Sequence, residues 1–147
     1  MNRASEKEAA KVSVLGGGSW GTALAKVLAD KGDPVSLWCR RPELAEDINR
    51  DRVNRHYLPG VTLPSELTAT SNIQDSLRDA SLVLFVSPSH GTRDVARAAK
   101  PFIPKGVPVV SATKGIENES LMFVDEILTE ELANASCLLY TSPSPRD

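Results

Sequence analysis

KVSVLGGGSWG, residues 11–21, joins a short apolar run to a turn of glycines. Val12, Val14 and Leu15 are too few for a helix and rich in β-branched residues, so the run reads as a buried strand. It ends in Gly16-x-Gly18-x-x-Gly21, and TALAKVLADKG then follows with helical spacing. Strand, glycine turn and helix together give this pattern a mechanism. Gly16 permits the tight turn, Gly18 lets the backbone approach a pyrophosphate, and Gly21 lets the helix pack on the strand. The free N–H groups of the first helical turn then face the anion. Ser19 and Trp20 sit between the glycines, where a hydroxyl and backbone amides can meet phosphate oxygens. A purely structural turn is the competing reading, and the flanking strand and helix weigh against it.

Outward from this stretch the chain alternates. Leu24, Val27 and Leu28 lie at i, i+3 and i+4 and predict the inward helix face, with Lys31-Gly32 as its stop. PVSLW, residues 34–38, predicts a second strand, and Arg41-Pro42-Glu43 opens a helix with Leu44, Ile48 and Val53 inward. Residues 51–66 are irregular and contain the turn signal Pro59-Gly60. A short strand at 68–70 and a short helix carrying Ile73 and Leu77 follow. Leu82–Val86 is apolar on both faces, as a central parallel strand should be. A helix over 92–100, a fifth strand over 107–112 and a helix over 119–133 complete the pattern, the last with Leu121, Val124, Ile127 and Leu128 inward. Strands alternating with helices predict an α/β fold, a Rossmann-type doubly wound parallel sheet, incomplete at its C-terminal side. Ligands of such sheets sit at the carboxyl ends of the strands.

That rule selects the candidate residues. Cys39-Arg40-Arg41 closes the second strand, about 20 residues past the glycines, where a NAD-selective domain carries an acid for the ribose 2′-OH. Arginines at that place suit a 2′-phosphate instead. A solvated, helix-starting basic pair is the other reading. After the fourth strand come Ser89 and His90: a histidine there could touch substrate or cofactor, and against that stands a plain structural reading, Ser89 as helix cap and His90 as first-turn residue with no partner acid or nucleophile. After the fifth comes Lys114, whose ammonium either enters the cleft or remains a solvated charge.

Composition narrows the classes. A chain of 147 residues with net charge −2 and 24% charged residues offers one core and no strong field for nucleic acid or an anionic membrane. Cys39 and Cys137 give neither a disulfide framework nor metal-ligand spacing. No run is long enough to span a bilayer, and the polar lead-in lacks a signal-peptide core, so a cytoplasmic location is expected.

Five motifs in order carry a resemblance: GGGSWGTALA at 16–25, Leu37-Trp38-x-Arg40, Asn54-x-x-Tyr57-Leu58-Pro59-Gly60, Pro88-Ser89-His90, and ATKGIE at 112–117. From about Lys11 to Ala135 the chain resembles the N-terminal domain of bacterial NAD(P)-dependent glycerol-3-phosphate dehydrogenase. The resemblance implies interconversion of sn-glycerol 3-phosphate and dihydroxyacetone phosphate, supplying the phospholipid backbone. By position it implies that Ser19 and Trp20 contact the cofactor, Arg40 and Arg41 its adenosine phosphate end, and Tyr57 its cleft. Lys114 would touch both cofactor and substrate. The implied cofactor is NADPH, with NADH as the alternative. The implied partner is a small phosphate substrate, with a homo-oligomer for the full-length protein. Ketopantoate reductase or 6-phosphogluconate dehydrogenase types compete, as does a stand-alone NADPH-sensing module.

The departure lies at the end. Family members continue into a Gly-Pro-Ser/Thr-Phe-Ala strand and a helical domain holding the catalytic lysine, so no catalytic residue is expected here. Residues 137–147, CLLYTSPSPRD, match the in-frame translation of a transposase sequencing adapter and read as a non-native tail. The expected division is a flexible lead-in at 1–10, the dinucleotide-binding domain at 11–136, and this tail. It is expected not to pair, which leaves the sheet at five strands.

Overall fold

A computed structural model describes residues 10–113, 115–133 and 138–141. The strands are β1 (Val12–Leu15), β2 (Val35–Trp38), β3 (Leu67–Thr70), β4 (Leu82–Phe85), β5 (Pro108–Ser111) and β6 (Leu138–Thr141). Between them run α1 (Ser19–Asp30), α2 (Pro42–Asp51), α3 (Ile73–Leu77), α4 (Thr92–Ala99) and α5 (Val124–Glu131). All neighbouring strands are parallel, in the order β3-β2-β1-β4-β5-β6. The chain winds outward from β1 to β3, then returns to β4 on the other side of β1. Connections therefore diverge above β1 and β4 and leave a crevice at their carboxyl ends.

Side chains alternate along each strand and build two separate cores. Val12, Val14, Val35, Leu37 and Leu84 face Ala25, Ala29, Ala45 and Ile48 of α1 and α2. Leu15, Val83, Phe85 and Val109 face Leu77, Val95, Ala96, Val124 and Leu128 of α3, α4 and α5. Ser13 and Ser36 occupy the second face and hydrogen-bond the buried Ser76 hydroxyl at 2.8 and 3.1 Å, so their polarity is satisfied under α3. Pro42 stands at the first turn of α2, where its missing N–H costs nothing.

Four expectations are corrected. Val27 is 53% exposed, and the buried face of α1 is Gly21, Thr22, Ala25 and Ala29, with Leu24 and Leu28 at its flanks. Small residues bring the helix close to the sheet, which turns the larger Val27 outward. Leu121 is 73% exposed with φ 59°, because the turn before α5 extends to Phe123 and the helix begins only at Val124. Ser89 does not cap α4. It lies in a 3₁₀ turn, Ser89–Gly91, and the Thr92 hydroxyl donates to the Pro88 carbonyl at 3.1 Å. Finally, the sheet has a sixth strand within the stretch expected not to pair: Leu138–Thr141 adds to the open edge of β5, in register Val109↔Leu139. The unpaired backbone of an edge strand accepts a short β-prone segment, and Leu138–Thr141 itself contains no proline. The expectation of a frayed lead-in falls on residues 1–9, outside the described residues.

Candidate functional site

A cleft of about 550 Å³ opens at the carboxyl ends of β1, β2, β4 and β5. Its floor is the glycine turn. Gly16 has φ +143°, and a Cβ there would lie 2.7 Å from the Val86 carbonyl oxygen, so β1 leaves the sheet against the exit of β4. A Cβ on Gly21 would overlap the Gly16 carbonyl oxygen, which fixes how closely α1 follows the turn. Gly18 differs from both: nothing stands within 4 Å of its Cβ direction. It is the N-cap of α1 in an extended conformation, its helix has no side-chain cap, and no acid lies in the first turn. The first internal bond runs from the Thr22 N–H to the Gly18 carbonyl at 2.9 Å. Amides before it are the unpaired donors of a helix start, on the lip of the cleft.

Of the residues singled out from sequence, Gly16, Gly18, Ser19, Trp20, Gly21, Arg40, Arg41, Tyr57 and His90 all border this cleft. Trp20 is 60% exposed at the mouth. The Ser19 hydroxyl donates to the Tyr57 carbonyl at 2.7 Å, and Arg41 Nη2 donates to the Tyr57 hydroxyl at 3.3 Å. Arg40 reaches across the mouth toward Gly91, its Nη2 lying 3.4 Å from where a Cβ would stand there. Two exposed guanidiniums thus share the rim beyond β2, and among the described residues no acidic side chain borders the cleft. Lys114 lies outside the described residues.

The two sides of Lys114 are nevertheless anchored. Thr113 donates its hydroxyl to the Ser87 carbonyl at 2.8 Å, tying the exit of β5 to that of β4. Arg93 of α4 binds Glu117 through Nε and Nη2 at 3.0–3.2 Å and also meets Glu130 and Glu131. Hydrogen bonds from Arg93 to Glu117, and from Arg97 before Arg93 to Glu131, hold both carboxyls below their ordinary range.

Sequence reasoning gave Asn54 no role in the site and gave Cys39 none beyond its place at the end of β2. Asn54 opens the motif that runs to Gly60, and it is wholly buried behind the glycine turn. Its burial has no periodic signal, since it sits in the irregular segment after α2. Cys39 lies under Gly17, where an added Cβ would stand 2.6 Å from its sulfur. Burial pushes its thiol up to about 12. In a Cys137→Ser background, Cys39 is therefore expected to resist a thiol reagent at pH 8 while folded and to react rapidly in urea. Prompt labelling of the folded chain would show that the end of β2 is open.

Comparison with known proteins agrees with this geometry. The family model described as "NAD-dependent glycerol-3-phosphate dehydrogenase N-terminus" matches residues 11–144. A glycerol-3-phosphate dehydrogenase [NAD(P)+] of Nitratidesulfovibrio vulgaris (strain DP4) is 49% identical over 123 residues, 84% of this chain and 37% of that protein. The chain thus spans little more than a third of that relative. The crystal structure of glycerol-3-phosphate dehydrogenase from Coxiella burnetii superposes with a TM-score of 0.81 at 32% identity, covering 90% of this chain and 40% of that one. A ketopantoate reductase from Ralstonia eutropha shares the fold at TM-score 0.67 and 24% identity, covering 89% of this chain and 40% of that one, and does not favour that alternative. The family match spans both the glycine turn and the arginine rim, and the chain belongs to the NAD-dependent glycerol-3-phosphate dehydrogenase family, as its N-terminal part.

Proposed function

We propose that this chain is the cofactor-binding domain of an oxidoreductase that interconverts sn-glycerol 3-phosphate and dihydroxyacetone phosphate, with NADPH preferred and NADH accepted. The observation that carries the reading is the uncapped, acid-free start of α1 behind the open Gly18, with Arg40 and Arg41 on the same rim. Bare backbone donors at a helix start suit a pyrophosphate, and a Cβ-free approach lets it come within hydrogen-bond distance. Bound there, the nicotinamide cofactor supplies the hydride chemistry, and the protein supplies position and charge. Ser19 and Trp20 line the pyrophosphate end, Arg40 and Arg41 hold a 2′-phosphate, and Tyr57 bounds the adenosine side. Lys114, between the anchors at Thr113 and Glu117, contributes an ammonium toward cofactor and substrate phosphate or carbonyl oxygens. The lysine expected to be catalytic belongs to the remainder of the longer relatives.

Titration of purified chain 1–147, followed by Trp20 fluorescence with Trp38→Phe as background, tests the reading. Saturable quenching by NADPH, weaker by NADH, is expected, and no response to either would overturn it. Hydride transfer requires the substrate carbon held about 3–3.5 Å from the reacting ring carbon. An open cleft on one domain does not enclose a substrate in that way. The same chain is accordingly expected to show no loss of NADPH absorbance with dihydroxyacetone phosphate. Ordinary dehydrogenase turnover would place the whole chemistry within these residues.

A further inference from the structure

Asn54 is fully buried, although it lies outside every helix and strand of the sheet. Its hydrogen bonds leave no part of the amide idle. Nδ2 donates to the Gly17 carbonyl at 3.0 Å and to the Thr22 hydroxyl at 2.9 Å. Oδ1 accepts from the Tyr57 N–H at 3.1 Å, and the Asn54 carbonyl accepts from the Leu58 N–H at 2.8 Å. The amide orientation follows from these neighbours: Tyr57 offers a hydrogen and Gly17 an oxygen, so only one placement of Oδ1 and Nδ2 satisfies both.

The bond to Gly17 has a geometric consequence. The Gly17 C=O and the Gly18 N–H belong to one planar trans peptide and point in opposite directions. Drawing the carbonyl inward to Asn54 therefore aims the Gly18 amide outward. Nothing stands within 4 Å of a Cβ added at Gly18, so the approach to this residue is open. The Thr22 hydroxyl also donates to the Gly17 carbonyl, at a longer 3.4 Å, so Asn54 is the shorter of two side-chain restraints on a peptide whose own residues carry no side chains. The other end of the same amide fixes Tyr57. Tyr57 in turn receives the Ser19 hydroxyl on its carbonyl and Arg41 on its phenol oxygen. One buried side chain thus connects the glycine turn to the arginine rim.

We propose that Asn54 is a positioning residue for the cofactor. Through the Gly17–Gly18 peptide and the Tyr57 amide, it holds the pyrophosphate donors and the arginine rim in one fixed relation. The inference rests on the proposed dinucleotide site and adds how that site is kept in shape before a ligand arrives. Such preorganisation raises affinity because the ordering is complete in the free protein.

Asn54→Asp is nearly isosteric and changes only donors. Ionised, it turns an oxygen toward the Gly17 carbonyl, repels it, and frees the peptide to turn. Protonated, its O–H donates to Gly17 while its other oxygen still accepts from Tyr57. Burial raises the pKa of that introduced carboxyl, so the neutral form is reached in mildly acidic buffer. NADPH affinity is expected to fall by about tenfold or more at pH 8, the loss of one charge-assisted bond and its alignment. It should recover toward the wild-type value between pH 6 and 5 (about the range of a raised carboxyl pKa), each point taken relative to wild type in the same buffer. Asn54→Ser, which reaches Tyr57 but not Gly17, should lose affinity at every pH without recovery. The ¹H–¹⁵N resonance of Gly18 should move in both variants with no cofactor present, which reads the peptide directly. Urea unfolding identifies the conditions in which each variant is folded, and affinities are compared there. Folded variants with wild-type affinity and an unmoved Gly18 resonance would overturn the positioning role. Failure of the wild-type chain to bind NADPH would instead remove the dinucleotide site itself.

Discussion

Gly21→Ala is expected to destabilise the fold and abolish cofactor binding together, whereas Gly18→Ala is expected to weaken binding with little effect on the fold. The methyl of the first variant would overlap the Gly16 carbonyl oxygen, a backbone atom held in the turn, and it also lies near Val86 Cβ at 3.5 Å. Neither neighbour is the free end of a flexible side chain. Relief requires α1 to shift off β1, which disturbs the contacts of Ala25 and Ala29 with the sheet. Overpacking of a well-filled site costs about 1–3 kcal/mol and more where backbone must move, so a loss of about 3 kcal/mol or above is expected in urea unfolding. Gly18 has an ordinary φ of −75° and open space around its Cβ, so alanine there should cost only about 1 kcal/mol or less, as a poorer N-cap. The same methyl then stands where a pyrophosphate must approach, and NADPH affinity should fall by at least about tenfold. Equal stability for both variants would mean that α1 does not pack as closely as its glycines imply. Unchanged binding by Gly18→Ala would place the phosphates elsewhere.

Replacing Arg40 and Arg41 together with alanine is expected to weaken NADPH by about ten- to a hundredfold and NADH by far less. That corresponds to about 1.5–3 kcal/mol for charge-assisted bonds to a 2′-phosphate. Both side chains are exposed at the rim, and among the described residues no acid borders the cleft to accept a ribose hydroxyl. Salt provides an independent check. Exposed charges are screened within about 8–10 Å at ordinary ionic strength, so added salt should weaken NADPH in the wild type and much less in the double variant. Arg41 also holds the Tyr57 hydroxyl, and Tyr57→Phe separates that contribution from phosphate binding. An equal loss for NADPH and NADH would assign the arginines to the shape of the rim.

The sequence by itself determined the parts whose causes are local. A β-branched run, three glycines at fixed spacing and a helical period made β1, the turn and α1 legible, because each depends on residues within a few positions of one another. The unbroken apolar run of Leu82–Phe85 likewise identified a strand covered on both sides, and it lies between β1 and β5. The arginines were legible because a strand end has a defined distance from the glycines. Tertiary structure decided the rest. Strand order placed β4 beside β1 and so opened the cleft between connections far apart in the chain. Helix depth made Ala25 and Ala29 the buried face and sent Val27 to solvent, since close packing selects small residues rather than the most apolar ones. Pairing of Leu138–Thr141 depended on the free edge of β5, a property of the partner strand and not of the segment. Asn54 shows the limit most plainly. It stands in an irregular segment without period, and its meaning lies in the Gly17 carbonyl, 37 positions away in sequence and 3.0 Å away in space. A hydrogen bond of that kind is set by how the chain returns upon itself, which no pattern of neighbouring residues records.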